Sequence, residues 1–469
     1  MRWLLVGCMI LFIDRPFEVW PVLGDWHVER LYMLFCALAW LVAPGKRILP
    51  DRFHVAVAGM AVAVGVCWAM SPWAERTQPR VEDWFKILVF YGLLVTTISS
   101  ERDLRFIVTA FVAVMGLYLV HSFREYLGGR HTYRMGIARM IGVDQALGDP
   151  NSFAASIVVA LPIALSLWRP ASAWGRWLLA GYGALSIVCI LLTGSRSAFL
   201  ALVLWVAWAT LASRRRWLMI AAVAVAAPVA FFLLPESLQN RFETIVNPDV
   251  GPANARESGE GRIQGLFTGF ELWARSPLTG VGPGAWRPAT GSTIESHSLA
   301  GQLVGEMGLL GVLAFGGLLT GYALNLIAVR RLAPDRDDPV AAIARGIGMA
   351  IVLLLVLGLF GHNLFRFTWL WYGGFLVIAR WVVMEREPEE ERLGFSPRRE
   401  AADQLERFVI EERVTVDGDD DIVDLRFANG PVRNLPHGAF SWSKFSTCSI
   451  EEGKFETCPT DGTSESCPT

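Results

Sequence analysis

Residues 261–311 read GRIQGLFTGFELWARSPLTGVGPGAWRPATGSTIESHSLAGQLVGEMGLLG. The first part is polar and punctuated by glycine and proline, with Arg262 near its start and Pro277-Leu278-Thr279-Gly280-Val281-Gly282-Pro283-Gly284 in its middle. From Ser298 onward the composition turns apolar and helical, carrying Glu306, Gly308 and Gly311, and His297 stands at the joint. Apolar blocks of membrane-spanning character flank the stretch on both sides. Lipid-facing backbone must be helical, so a connection as long as 235–297 belongs outside the bilayer. Connections of that length in a membrane protein tend to carry function.

Working outward, the chain has 469 residues, 53% of them apolar, with 19 Trp. That composition excludes an ordinary soluble enzyme and predicts a polytopic membrane protein. A helix crosses about 30 Å of hydrocarbon at about 1.5 Å per residue. Apolar runs near that length occur at 2–13, 31–44, 53–70, 84–99, 104–122, 151–168, 177–193, 197–212, 217–234, 298–328, 341–361 and 366–384. The expectation is an all-α bundle of about twelve transmembrane helices over 1–384. Its large extracytoplasmic loop is 235–297, and a tail follows at 385–469.

The net charge of −2 hides a division. Residues 1–384 hold 32 Lys and Arg against 24 Asp and Glu, whereas 385–469 hold 10 against 20. A basic membrane body with an acidic tail argues against a nucleic-acid partner and against the tail lying on anionic lipid. Lys46, Arg47, Arg52, Arg102, Arg105, Arg169, Arg176, Arg214–Arg216, Arg330 and Arg331 fall in alternate connections. The positive-inside rule places these in the cytoplasm, along with both termini, and places 235–297 outside. The tail's Val414-Thr415-Val416 and Ile422-Val423 runs suit a small β-containing unit or partial disorder. Cys448, Cys458 and Cys467 do not follow a zinc-ligand spacing.

Arginines kept on the disfavoured face suggest an anionic ligand there. Arg196 stands in Thr193-Gly194-Ser195-Arg196-Ser197 between two apolar runs, with almost no loop between them. A guanidinium at a membrane boundary needs a partner, and its forked donors match phosphate oxygens. Snorkelling to lipid headgroups is the bland alternative. His297, just before a helix, can accept a proton from a hydroxyl at neutral pH, since an ordinary imidazole has a pKa of about 6.5. A lone histidine there is otherwise a cap or a packing residue. Glu306 demands a partner inside its apolar helix, and structural pairing is the simpler reading. Gly305, Gly308 and Gly311 signal close helix approach. Asn151, after Asp149-Pro150, caps a helix or binds ligand. Ser195 and Arg139 are supporting candidates, and His362, Asn363 and Arg366 are further pocket candidates between the last two runs.

These residues in this order resemble the O-antigen ligase family, including its polymerases and protein-glycosylating relatives. The resemblance is carried by Asp149-Pro150-Asn151-Ser152-Phe153-Ala154, Thr193-Gly194-Ser195-Arg196, Gly261-Arg262, Pro277–Gly284, His297-Ser298, Glu306, Gly308 and Gly311. Ser298 stands where relatives often carry Asn. The resemblance implies a GT-C-like helical bundle in the bacterial inner membrane, with its active site on the periplasmic face. It implies transfer of a glycan from a polyprenyl-diphosphate donor to a hydroxyl of a lipid, glycan or protein acceptor, with inversion and with neither metal nor cofactor. Arg196 and Arg262 would hold the diphosphate, and His297 would be the general base. The alternatives are a polysaccharide polymerase of the same family and, from another class, a flippase for the lipid-linked glycan. A flippase would carry paired half-repeats with broken helices near the bilayer midplane.

Overall fold

The computed structural model describes residues 1–134, 137–143, 149–245, 247, 254–335 and 337–386. The tail expected at 385–469 lies almost wholly outside the described residues, so its β-containing unit and its cysteines do too. Within the described residues the chain forms α1 (Arg2–Ile13), α2 (Pro16–Val19), α3 (Pro21–Asp25), α4 (Val28–Val42), α5 (Arg52–Ala69), α6 (Ala74–Thr97) and α7 (Glu101–Leu127). An antiparallel hairpin follows, β1 (His131–Arg134) with β2 (Ile137–Met140), pairing Thr132 with Arg139. Then come α8 (Pro150–Ser166), α9 (Ala173–Leu192), α10 (Arg196–Ala212), α11 (Arg216–Phe232), α12 (Glu236–Glu243), α13 (Asn254–Arg275) and α14 (Trp286–Thr290). The chain closes with α15 (Leu299–Leu332), α16 (Pro339–Gly358) and α17 (Thr368–Glu385).

Each expected apolar run is a helix, and most start at a side-chain cap. Asp51, Ser100, Asp149, Ser172, Ser195, Ser298 and Asp338 each accept a backbone N–H from the first turn of the helix they precede. That satisfies donors that no intrahelical carbonyl can reach. Asp149 is therefore the cap of α8, and Asn151 is freed from that duty. Among the described residues, five helices (α5, α7, α9, α15 and α16) are long and apolar enough to cross a membrane, and α1, α8, α10 and α11 are apolar but shorter. α11 has no buried residue although its sequence is apolar throughout. Such a surface is tenable against lipid and not against water.

α17 is the axle of the bundle. Trp369, Trp371, Tyr372 and Phe375 are fully buried. Trp371 packs against Phe90 of α6 at 4.2 Å and Phe375 against Phe111 of α7 at 5.9 Å between ring centroids. At one end of the bundle, charged pairs tie the connections together. Arg47 meets Glu385 at 3.1 Å, Arg169 pairs with Asp337, and Arg386 bridges Glu101 and Asp338, both at 2.5 Å. The loops expected on the basic side thus converge. Exposed Trp174, Trp177 and Trp217 lie near this end, where indole rings anchor a helix at a lipid–water boundary.

Two expectations need correction. The 235–297 connection is largely helical, because Gly265 and Gly269 form a small-residue face of α13 and are not loop breaks. That face packs on α15 with backbone nearly touching backbone. A Cβ on Gly269 would lie 2.4 Å from the Gly301 carbonyl, and one on Gly301 would lie 2.4 Å from the Gly265 carbonyl. The second correction concerns α15, which is broken at Gly308, where φ is +58° and ψ is −156°. The segment Pro277–Gly284 enters the break. Val281 and Gly282 N–H donate to the carbonyls of Gly305 and Glu306, each at 2.9 Å. In return, Leu309 and Leu310 N–H donate to Pro277 and Leu278 at 2.9 and 3.0 Å. Non-helical backbone inside a bundle is tolerable only when something satisfies it, and here the inserted segment does so.

Candidate functional site

The break is held open by Glu306. Fully buried, its carboxylate accepts the N–H of Gly284 at 3.0 Å and of Trp286 at 3.2 Å. Gln302, one turn earlier, donates its amide to the same carboxylate at 3.3 Å and accepts the N–H of Leu364 at 3.3 Å. The inserted segment, the first half of α15 and the turn between α16 and α17 are thereby joined. Ser71 adds a hydroxyl to the Val281 carbonyl at 2.6 Å. Glu306 acts in this structure as a clamp on loop backbone.

That scaffold sets His297 at the end of the bundle opposite the ion-pair cluster. Ser298 caps α15, accepting Gly301 N–H at 3.2 Å, so the half-buried His297 projects from just before the helix. It lines a cavity of about 270 Å³ with Asn151, Ser197, Glu295, His362 and Arg366 around it. The deeper wall is apolar, made by Val159 of α8 and by Leu354 and Leu357 of α16. A second cavity of about 700 Å³ adjoins, lined by Arg15, Arg76 and Arg80 from the first six helices. Asp149, Arg287, Glu295, His362, Asn363 and Arg366 belong to both cavities, so they form one two-lobed cleft. Glu295 sits between the lobes, 3.1 Å from the Arg287 guanidinium and 3.6 Å from that of Arg80.

The other candidates fall around this cleft at different distances. Asn151 lines it and accepts a hydrogen bond at 3.0 Å from Arg139, which is itself buried and donates to the Thr193 carbonyl at 2.6 Å. Arg139 therefore ties the hairpin to the start of α8 and to the α9–α10 turn. Ser195 is fully buried and caps α10. Arg196, the first residue of α10, donates to the Thr244 hydroxyl at 3.1 Å and is not among the residues lining this cavity. Arg262 lies in α13, three residues or about 4.5 Å of helix rise before Gly265. A Cβ on Gly265 would sit 3.3 Å from the backbone nitrogen of His297. The backbone thus carries Arg262 to within about one turn of the histidine.

Sequence reading named His362, Asn363 and Arg366 only as further pocket candidates, and the structure puts their turn in the cleft. His362 Nδ1 lies 3.1 Å from the Ser296 carbonyl, one residue before His297. Burial, then Arg366, Arg80 and His297, push the His362 pKa down to about 3, with Asp149 opposing. Arg15, Arg76 and Arg80 were missed, because no local motif surrounds them. Their shared position appears only when α1 and α6 are packed together.

The chain is thus a polytopic helical membrane protein with a polar, histidine-bearing cleft at the end of the bundle away from its basic loops. Residues 181–316 match the family model described as O-antigen ligase, a family of membrane enzymes of ligase or polymerase type. The matched span runs from α9 into the broken α15, and it includes Arg196, Arg262, His297 and Glu306. No curated protein matches the chain.

Proposed function

We propose that the chain is a membrane glycosyltransferase that moves a glycan from a polyprenyl-diphosphate donor to a hydroxyl-bearing acceptor on the extracytoplasmic face of the bacterial inner membrane. The observation that carries the reading is His297 in a cleft whose deep wall is apolar and whose rim is polar and arginine-bearing. Such a cleft suits a ligand with a hydrocarbon chain, a charged diphosphate and a sugar. The acceptor oxygen attacks the anomeric carbon while the bond from that carbon to the diphosphate oxygen breaks. The acceptor proton passes to the His297 imidazole, polyprenyl diphosphate departs, and the linkage inverts. Arg196 and Arg262 stabilise the charge that grows on the leaving group, a contribution of about 3 kcal/mol per well-placed donor.

A broken helix is also a device of transporters, which pair two such helices around a midplane substrate site. In this chain the α15 break is filled by its own Pro277–Gly284 segment, with its backbone groups already paired. That favours a transferase over a flippase.

The test is transfer from a polyprenyl-diphosphate saccharide by purified full-length protein. Wild type is compared with Arg196→Ala, Arg262→Ala and His297→Ala. His297→Ala is expected to lower turnover by about 10²–10⁴-fold while donor is still bound. The arginine variants are expected to lose about 10²-fold or more. Unchanged turnover in all three would refute the mechanism. The product itself, a single transferred chain or an extended series, separates ligase from polymerase.

A further inference from the structure

The turn joining α16 to α17 lies outside the matched family span and carries two hydrogen-bond acceptors at the junction of the two lobes. A carbonyl can only accept, so the 3.1 Å contact from His362 Nδ1 to the Ser296 oxygen fixes the proton on Nδ1. The remaining ring nitrogen, Nε2, then holds its lone pair. Among the described residues no donor pairs with it. The next residue repeats the pattern. Asn363 commits its amide N–H to the Leu354 carbonyl at 2.8 Å, which orients the side chain and leaves Oδ1 buried with no donor among the described residues. A buried acceptor without a donor, such as Asn363 Oδ1, is rare in folded proteins and calls for a reason, and His362 Nε2 beside it faces the cleft.

We propose that this turn is a hydroxyl-holding subsite, in which His362 Nε2, supported by Asn363, accepts a hydrogen bond from a saccharide hydroxyl and presents the sugar to His297. The subsite rests on the transferase reading and refines it. His362 is unsuited to be the base. Burial together with Arg366, Arg80 and His297 keeps its ring neutral, against the pull of Asp149, to a pKa of about 3. A ring that will not take a proton is a poor proton acceptor in a reaction, but it is a constant hydrogen-bond acceptor across physiological pH. His362 and His297 therefore divide the work. One fixes the sugar, and the other takes the proton. The fixed tautomer is supported from outside the turn. Gln302, bound to Glu306, receives Leu364 N–H, and the indole N–H of Trp369 donates to the Asn363 carbonyl at 2.8 Å.

The experiment uses full-length protein in detergent, added to membranes from the native host lacking its own copy, so that both natural substrates are present. Wild type, His362→Ala, His362→Gln, His362→Leu and His297→Ala are compared for product formed and for lipid-linked donor retained on the protein. Glutamine offers an acceptor oxygen, and leucine fills space without one. The expected result is a loss of about 10-fold or more in product for the alanine and leucine variants, with glutamine recovering most of it. The ratio of wild type to His362→Gln activity should stay flat between about pH 5.5 and pH 8, because the imidazole does not titrate there. Donor retained in the alanine variant assigns the hydroxyl to the acceptor, whereas donor lost assigns it to the donor sugar. Full activity of His362→Ala, or equal impairment of glutamine and leucine whether folded or not, overturns the subsite. Full activity of His297→Ala would instead remove the transferase reading itself.

Discussion

Glu306 holds the corner of the site through backbone alone. Each of its oxygens accepts a backbone N–H from the inserted segment, one from Gly284 and one from Trp286. Glutamine would place an amide N–H against one of those donors. Glu306→Gln is therefore expected to cost about 1–3 kcal/mol, read as a lower thermal midpoint in detergent. His362 gives a second expectation at this scale. Its folded-state pKa is depressed to about 3 from an ordinary 6.5. Above pH 6.5 the ring is neutral whether the chain is folded or not, and no stability depends on it. As pH falls from 6.5 toward 3 the unfolded chain takes up a proton that the folded one refuses, so acid destabilises the fold. Replacing His362 by Gln should flatten the thermal midpoint between about pH 7 and pH 4 relative to wild type. Two of the residues at this end were legible in the chain by position. His297 announced itself by its place before an apolar helix, and Glu306 by the cost of a carboxylate inside one. The clamp was not readable, because its donors are backbone N–H groups 20 and 22 residues away.

At the scale of elements, the apolar runs specified the helices well, since each run is a helix of the structure, whereas the Ser and Asp side chains that cap them went unread. The glycines were ambiguous. In α13 they were read as loop punctuation, yet a four-residue spacing also makes the small face on which α15 packs. In α15 they were read as packing residues, and Gly308 turned out to be the break, with a left-handed φ that few other residues tolerate. Gly308→Ala should lower stability by at least about 1 kcal/mol, because the strained φ is compounded by a Cβ 2.6 Å from the Gly280 nitrogen. Gly269→Val should push α13 off α15 and move both Arg262 and the Ser296–Ser298 corner. Activity is then expected to fall further than the thermal midpoint suggests, with donor retention and unfolding measured on the same sample.

For the whole molecule, the positive-inside rule and the packed ends of the bundle point the same way. The ion pairs gather the basic connections at one end, and the cleft opens at the other. Cys8, Cys36, Cys67 and Cys189 are buried, so a cysteine introduced into the body can be read against little background from them. Ser292→Cys, at an exposed position beside the cleft, should react with a membrane-impermeant maleimide in intact cells. Ala173→Cys, exposed at the start of α9, should react only after permeabilisation. Labelling in the reverse order would invert the orientation and place the cleft in the cytoplasm.

The interruption in α15 has a mechanical consequence. A continuous helix would transmit axial push and twist from the transmembrane half straight to His297, whereas here the ladder is severed at Gly308 and spliced by neighbouring chain. The short upper rod, Leu299 to Met307, is steered sideways by α13 and by the spliced segment. Whatever nudges those two pieces can re-aim the imidazole while the lower rod stays still.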